Sequence, residues 1–413
     1  MTGDEVLLGR VVERNAAFLA ADLDARGIDI ARTAVVPDVL DAIVQALRDA
    51  LASGSDLIIT SGGLGPTHDD LTMEAVALAV GRTLTVDKTA LSQVQERVAD
   101  AIARYGILRA RIDAGIDKQA SLPVGGRALR PIGTAPGCVL VEGGSTIVVL
   151  PGPPAELQPM WSEAIQSAPV AAILGRAPAR HRRTLRMIGV SESELVAARA
   201  RVDQGLVARV PHGIYTRAGE LDLVIDGLPG ESADADGLAD VLSEEIGGRV
   251  YSRDGRIVDT IVAELLVARS ETLAVAESCT GGSLGARLTA SAGASAWFVG
   301  GVIAYADAIK VALLGVSPAT LAEVGAVAAR TAIEMAQGVR ARTGANWALS
   351  VTGIAGPGGG SSEKPVGLVY IGLAGPDGAM ARELRIPGTR DGVRLRSSTA
   401  ALHELRSALL AQS

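Results

Sequence analysis

The sequence predicts an α/β protein: two three-layer α/β domains joined by a small α+β middle domain. Three observations lead there. Short apolar runs that end in glycine and pass into helix-period stretches occur in two separate parts of the chain, the rhythm of buried parallel strands feeding helices. Hydrophobic residues make up 48% of the chain and aromatics only 2%, so the cores rest on Ala, Val, Leu and Ile packed between layers. At 413 residues the chain exceeds one comfortable core and divides into two or three domains.

In chain order, Val12, Ala16, Leu19 and Leu23 share one helix face that Gly27 ends, and Leu40, Ile43, Leu47 and Leu51 share another. DLIIT (56–60) and TIVVL (146–150) are buried strands, the first expected to be parallel. The prolines of PGPPAE stop the second strand and open a helix from Ala155. This closes a first domain over 1–172. Over 180–252, RRTLRMIGVSESEL predicts a strand and a Ser-capped helix, and ELDLVIDG an alternating, half-exposed strand. No Gly-x-x-Gly clamp in a basic setting occurs there, which speaks against RNA binding. Over 256–411 the α/β rhythm returns, with strands at 272–276, 299–305, 347–351 and 366–374. The Gly- and Pro-rich loop that starts at Gly353 follows a strand and is expected to be functional.

A net charge of -7 disfavours a broad footprint on nucleic acid but leaves room for a local phosphate pocket. No apolar run reaches the roughly 20 residues that span a bilayer, and no basic-then-apolar leader opens the sequence. A cytoplasmic protein without membrane partners is expected. Cys138 and Cys279 lie in different predicted domains and are expected to be reduced thiols.

Two constellations carry chemistry. In TSGGLGPTHDDLT (60–72), Gly62, Gly63, Gly65 and Pro66 sit at the carboxyl end of a predicted strand, where backbone N–H groups and the next helix start suit a phosphate. Asp69 and Asp70 would repel a bare pyrophosphate and make more sense holding a divalent cation that neutralises it and activates water. The alternative is that Asp70 or Thr72 caps the helix. His68 is expected to be a loop residue. In AESCTGGSLGARL (276–288), Ser278, Cys279 and Thr280 each offer a nucleophile, and the amides of Thr280, Gly281 and Gly282 could stabilise an oxyanion or bind phosphate. The alternative makes Ser278 a helix cap and Cys279 a small buried hydrophobe. Asn346 and Trp347 are expected to be structural.

GGLGPTHDDLT, with KQA (118–120), GTAPG (133–137) and LPGPPAE (150–156), resembles the N-terminal domain of the CinA (competence-damage inducible) family, itself similar to molybdopterin-binding domains. The resemblance implies metal-dependent hydrolysis of ADP-ribose at Asp69 and Asp70, with an ion of the Mg, Mn or Co type. Fold likeness alone would also permit pterin binding. In that family an apolar strand precedes the Gly-x-Glu segment, whereas Gly3, Asp4 and Glu5 here have none before them. The first strand is therefore expected to be missing, with its neighbours left unpaired.

The second motif, with SAWFVGGVIAYADAIKVALLGV (295–316), SVTGIAGPGGG (350–360), EKPVG (363–367) and PGTRDGVR (387–394), resembles the CinA C-terminal domain. This implies deamidation of nicotinamide mononucleotide to nicotinate mononucleotide and ammonia, with Ser278 as nucleophile, no cofactor, and a homodimer. Tyr305 at a strand end and Lys310 just over one helical turn later can face one pocket, which makes a Ser-Lys arrangement. A lysine serves as base only where desolvation or a cationic neighbour lowers its pKa, and the apolar VALLGV segment offers a dry wall. Otherwise Lys310 is a solvated helix residue. Arg390 and Arg394 near a helix start suit the substrate 5'-phosphate, or are a pair of surface charges. The whole describes a two-activity enzyme of pyridine nucleotide salvage. Its rivals are a partner protein of the competence and DNA-damage response, and a pterin-binding protein.

Overall fold

Strong short-range patterning in two regions gives two bodies. The computed structural model, which describes residues 1–105 and 113–412, divides into the units Met1–Arg180 and His181–Ser413. The middle segment therefore shares a unit with the C-terminal domain.

In Met1–Arg180 the sheet runs in the order Leu57–Ser61, Ser145–Leu150, Gly137–Glu142, Arg127–Leu129, with only the first pair parallel. Alternating side chains serve two cores. Ile58, Leu140, Ile147 and Val149 pack with Ile43 and Leu47 of the helix Leu40–Ala52. Leu57, Ile59, Val148 and Leu150 pack with Leu19 and Leu23 of the helix Asn15–Ala25 and with Trp161 of the helix Pro154–Ala164. Both faces are covered, as the three-layer expectation requires. Val12 is not on that first helix, which begins at Asn15, and stays 75% exposed. Where the first strand was expected to be missing, Met1–Gly3 form a short bridge: Thr2 N–H donates to Ser61 O, Val36 N–H to Met1 O, and Gly3 N–H to Val36 O. Alongside lies a cavity of about 830 Å³ lined by Ile28, Ala34, Leu47, Ile58 and Thr60.

In His181–Ser413 an antiparallel sheet runs Val250–Ser252, His181–Ile188, Glu220–Gly227, His212–Arg217. Ser191 opens the helix Glu192–Ala200 with a full capping box to Glu194, as its sequence predicts. The strand Glu220–Gly227 departs from the half-exposed expectation and is almost wholly buried. Leu223 and Ile225 meet Leu238 and Leu242 of the helix Ser232–Ile246, and Glu220 is buried against His403 of the long helix Arg390–Ala411, 2.7 Å away. Nε2–H of His403 donates to that carboxylate, which leaves Nδ1 buried without a partner. Burial holds the imidazole below its ordinary 6.5 against the pull of Glu220. A lowered folded-state pKa gives stability that is complete above the ordinary value and is lost as pH falls through the lowered one. Acidifying from about pH 7 to about pH 5 is thus expected to lower the melting midpoint of the full chain. His403→Gln should flatten that slope; thermal melts of the full chain at both pH values check it.

The second sheet of this unit runs Phe298–Ile303, Leu273–Glu277, Trp347–Gly353, Leu368–Gly375, Gly378–Arg385, the first three parallel and the last two antiparallel. One face carries Leu273, Val275, Leu349 and Val351 against Leu402, Leu405 and Leu409 of the helix Arg390–Ala411. The other carries Ala274, Ala276 and Ala348 against Met335, Ala336 and Val339 of the helix Ala329–Thr343. Small side chains on that face let the helix approach closely, which is how a core almost without aromatics fills its space. The strand Gly378–Arg385 was not expected; it is a charged, mostly exposed edge with little apolar signal.

Candidate active site

Parallel strands deliver the chain to one edge. Glu277 pairs with Ile303 on one side and Val351 on the other, so Ser278, Ala304 and the loop after Gly353 leave the sheet side by side at its carboxyl edge, where open α/β sheets place ligands. Ser278 is 8% exposed, and its N–H donates to Val351 O at 2.9 Å. Tyr305 does not end the strand but lies two residues beyond it, 61% exposed.

Lys310, on the helix Asp307–Leu314, is 1% exposed, so it is no solvated helix residue. Its Nζ donates to Tyr305 O at 3.1 Å and to Asp307 Oδ1 at 3.2 Å. These two bonds fix where the amine nitrogen sits, beside the Tyr305 carbonyl at which the chain has left the sheet. Among the described residues no hydrogen bond joins Ser278 Oγ to Lys310 Nζ.

Arg390 opens the helix Arg390–Ala411, whose cap is the Thr389 hydroxyl, and Arg394 follows one turn later on the same face. Arg390 donates to Gly356 O at 2.8 Å and to Tyr305 Oη at 3.1 Å, and Arg394 donates to Thr280 O at 2.9 Å. They are therefore not a pair of unattached surface charges. The structure brings together Ser278, Thr280, Tyr305, Lys310, the loop after Gly353, Arg390 and Arg394: a hydroxyl, a buried amine and two guanidinium groups around one strand edge.

The glycine amides correct an expectation. Gly281 N–H donates to Ser278 O at 3.1 Å, and Gly282 N–H donates to Glu277 Oε2 at 2.9 Å; neither is free for an oxyanion or a phosphate. Nor does Ser278 cap the helix Ser283–Leu288, because Glu277 accepts from Leu284 and Gly285 at its start. Sequence reasoning passed over Glu277, although a carboxylate closing an otherwise apolar strand was the available signal. Cys279 is the small buried residue of the alternative reading: burial pushes its thiol up to about 11, which leaves little thiolate near neutral pH.

At the other motif, Gly62 and Gly63 have φ of +100° and +65°, which favours glycine. A Cβ on Gly63 would also lie 2.4 Å from Thr72 Oγ1. Asp70 Oδ2 accepts from Thr67 N–H at 2.9 Å and from its hydroxyl at 2.6 Å, and Asp69 accepts from the same hydroxyl. That hydroxyl is the main reason the Asp69 carboxyl sits below its ordinary range. Neither Asp70 nor Thr72 caps the helix Thr72–Ala79, which starts after Leu71 without a side-chain cap; Thr72 Oγ donates instead to Gly62 O at 2.8 Å. Pro66 does not line the cavity and packs against Gly115, where a Cβ would come within 2.3 Å of it. His68 is exposed, as expected of a loop residue.

Gly62, Gly63, Gly65, Asp69 and Asp70 line a cavity of about 540 Å³ together with Gln119 and Glu156. Among the described residues no group of three or more His, Cys, Asp or Glu is placed to hold a metal. An all-protein cage therefore does not fit. Asp69 and Asp70 converge on the one Thr67 hydroxyl at this cavity, and such a carboxylate pair is the number that a Mg²⁺-type ion takes when substrate phosphates and water complete its shell.

Residues 256–409 match the CinA C-terminal domain family, and residues 1–172 match the family described as a probable molybdopterin binding domain. A CinA-like protein of Mycobacterium sp. (strain JLS) is 44% identical, covering 99% of this chain and 97% of its own length. One of Mycobacterium tuberculosis (strain ATCC 25177 / H37Ra) is 42% identical, covering 99% and 96%. Among solved structures, the competence/damage inducible protein CihA from Agrobacterium tumefaciens is 39% identical with a TM-score of 0.36, covering 37% of this chain and 95% of that one. No helix among the described residues is long and apolar enough to cross a membrane.

Proposed function

Because this chain belongs to the CinA family, we propose that the site around Ser278 deamidates nicotinamide mononucleotide, and that the protein serves pyridine nucleotide salvage. The supporting observation is the exit of Ser278 and Tyr305 from adjacent parallel strands, with the buried Lys310 amine on the Tyr305 carbonyl and Arg390 on its phenol. Ser278 Oγ attacks the carboxamide carbon, and Lys310 takes the hydroxyl proton and passes it to the departing ammonia. Water then opens the acyl-enzyme, releasing nicotinate mononucleotide and returning the proton to Ser278. Arg390 and Arg394 bind the 5'-phosphate by fork-like hydrogen bonds, giving up their present carbonyl partners Gly356 and Thr280. Mass spectrometry of the products from purified protein and nicotinamide mononucleotide tests the reading: nicotinate mononucleotide and ammonia are expected, and unchanged substrate would overturn it.

A second activity is supported by the cavity at Gly62–Gly65, Asp69 and Asp70. It is the metal-dependent cleavage of ADP-ribose. Asp69 and Asp70 would hold the ion, which supplies neutralisation of phosphate charge and a more acidic water. Asp70→Asn is expected to lower ADP-ribose cleavage by at least about 100-fold, and Asp69→Asn to impair it, with ammonia release nearly unchanged because the sites lie in separate units. Parallel assays of both activities on each variant check this. Full cleavage by both variants would move the metal elsewhere, and a copurifying pterin without cleavage would replace the reading by pterin binding.

A further inference from the structure

Glu277 is 1% exposed, yet among the described residues it forms no ion pair with Lys, Arg or His. Its charge is met by backbone alone. Oε2 accepts from Gly282 N–H at 2.9 Å and Leu284 N–H at 3.0 Å, and Oε1 from Gly285 N–H at 2.8 Å. Such charge-assisted bonds are roughly twice as strong as neutral ones. The local sequence is cut to fit them: Gly282 has a φ of +93°, and a Cβ on Gly285 would stand 3.3 Å from Oε1. The same residue's backbone is paired to strands on both sides, at Ile303 and Val351. One residue therefore joins the rigid sheet to the far end of the turn that carries Ser278. The near end is fixed by Ser278 N–H on Val351 O, and the middle by Gly281 N–H on Ser278 O.

We propose that Glu277 is the positioning residue for the nucleophile: its carboxylate clamps the 278–285 turn to the sheet and so aims Ser278 Oγ at the substrate carbonyl. With both oxygens occupied by amides it carries no proton in the reaction. A near-attack geometry is sensitive to small displacements, of the order of 1 Å for a 100-fold loss. The inference rests on Ser278 being the nucleophile of the proposed deamidation.

Glu277→Gln puts an amide donor where a carboxylate oxygen accepts a backbone N–H, and Glu277→Asp is one methylene too short to reach. Each is expected to lower kcat on the order of 100-fold with KM within about 3-fold, and to slow labelling of Ser278 by a fluorophosphonate probe to a similar extent, at a temperature where the variant is still folded but with a lowered melting midpoint. Amide exchange in the wild-type protein reads the clamp whether or not either variant folds: Gly282, Leu284 and Gly285 should exchange slowly and as a group. Fast exchange at these amides overturns the clamp. Wild-type kcat and labelling in a folded Glu277→Gln overturn the positioning role while leaving the deamidase reading intact. A wild-type protein that neither releases ammonia nor takes the label removes the nucleophile, and both readings fall with it.

Discussion

Ser278→Ala is expected to remove ammonia release from nicotinamide mononucleotide, with turnover down by about 1,000-fold or more, whereas Cys279→Ala should keep it near the parent rate. The adjacent thiol is intrinsically the stronger nucleophile only as thiolate. Burial pushes Cys279 up to about 11, so near neutral pH it is present almost wholly as thiol. Raising the pH toward that value would favour the thiolate, so a deamidation rate that climbs steeply above about pH 9 in Ser278→Ala, but not in the double variant with Cys279→Ala, would expose a cysteine route. Ammonia assays on both variants from neutral to alkaline pH decide it. Loss of activity in Cys279→Ala with retention in Ser278→Ala would exchange the two roles.

Lys310→Arg is expected to fail almost as completely, by about 100-fold to 10,000-fold in kcat, while binding of nicotinamide mononucleotide survives. The guanidinium keeps the positive charge but stays protonated at any workable pH, so it cannot take the Ser278 proton. The site gives a second reason: Lys310 is 1% exposed, with Nζ on Tyr305 O and Asp307 Oδ1, and a larger planar group cannot occupy that space unchanged. Lys310→Met separates the two effects by removing the charge with a similar shape. Equal losses in both variants, at unchanged substrate affinity by calorimetry, are expected of a proton acceptor. Near-normal turnover in Lys310→Arg would reduce the lysine to electrostatic support, and inhibition of the parent enzyme's deamidation by a chelator would call for a metal-bound hydroxide instead.

Local chemistry was legible in the sequence. Short apolar runs located the strands Leu57–Ser61, Ser145–Leu150, Leu273–Glu277 and Trp347–Gly353 to within a residue or two, because a buried run and the residues that end it are encoded within a few neighbours. The capping box at Ser191 and the helix start at Arg390 were equally local. The CinA motifs marked Ser278, Tyr305, Lys310, Arg390 and Arg394 as one group, although they span more than 110 positions. What only the tertiary structure decided was partnership and burial. Lys310 looks like an ordinary helix lysine until the sheet edge encloses it, and Arg390 reaches Tyr305 across 85 positions. The strand Glu220–Gly227 has a half-exposed pattern but is mostly buried, because distant groups cover its polar positions too: His403 meets Glu220 from 183 positions away, and Arg186 meets Asp222. Gly281 and Gly282 have the composition of an anion site, yet the carboxylate of Glu277 and the carbonyl of Ser278 already hold their amides. A buried donor or acceptor must be satisfied by whichever group the fold brings within about 3 Å, and that group is chosen by packing across the whole unit, which no local pattern contains.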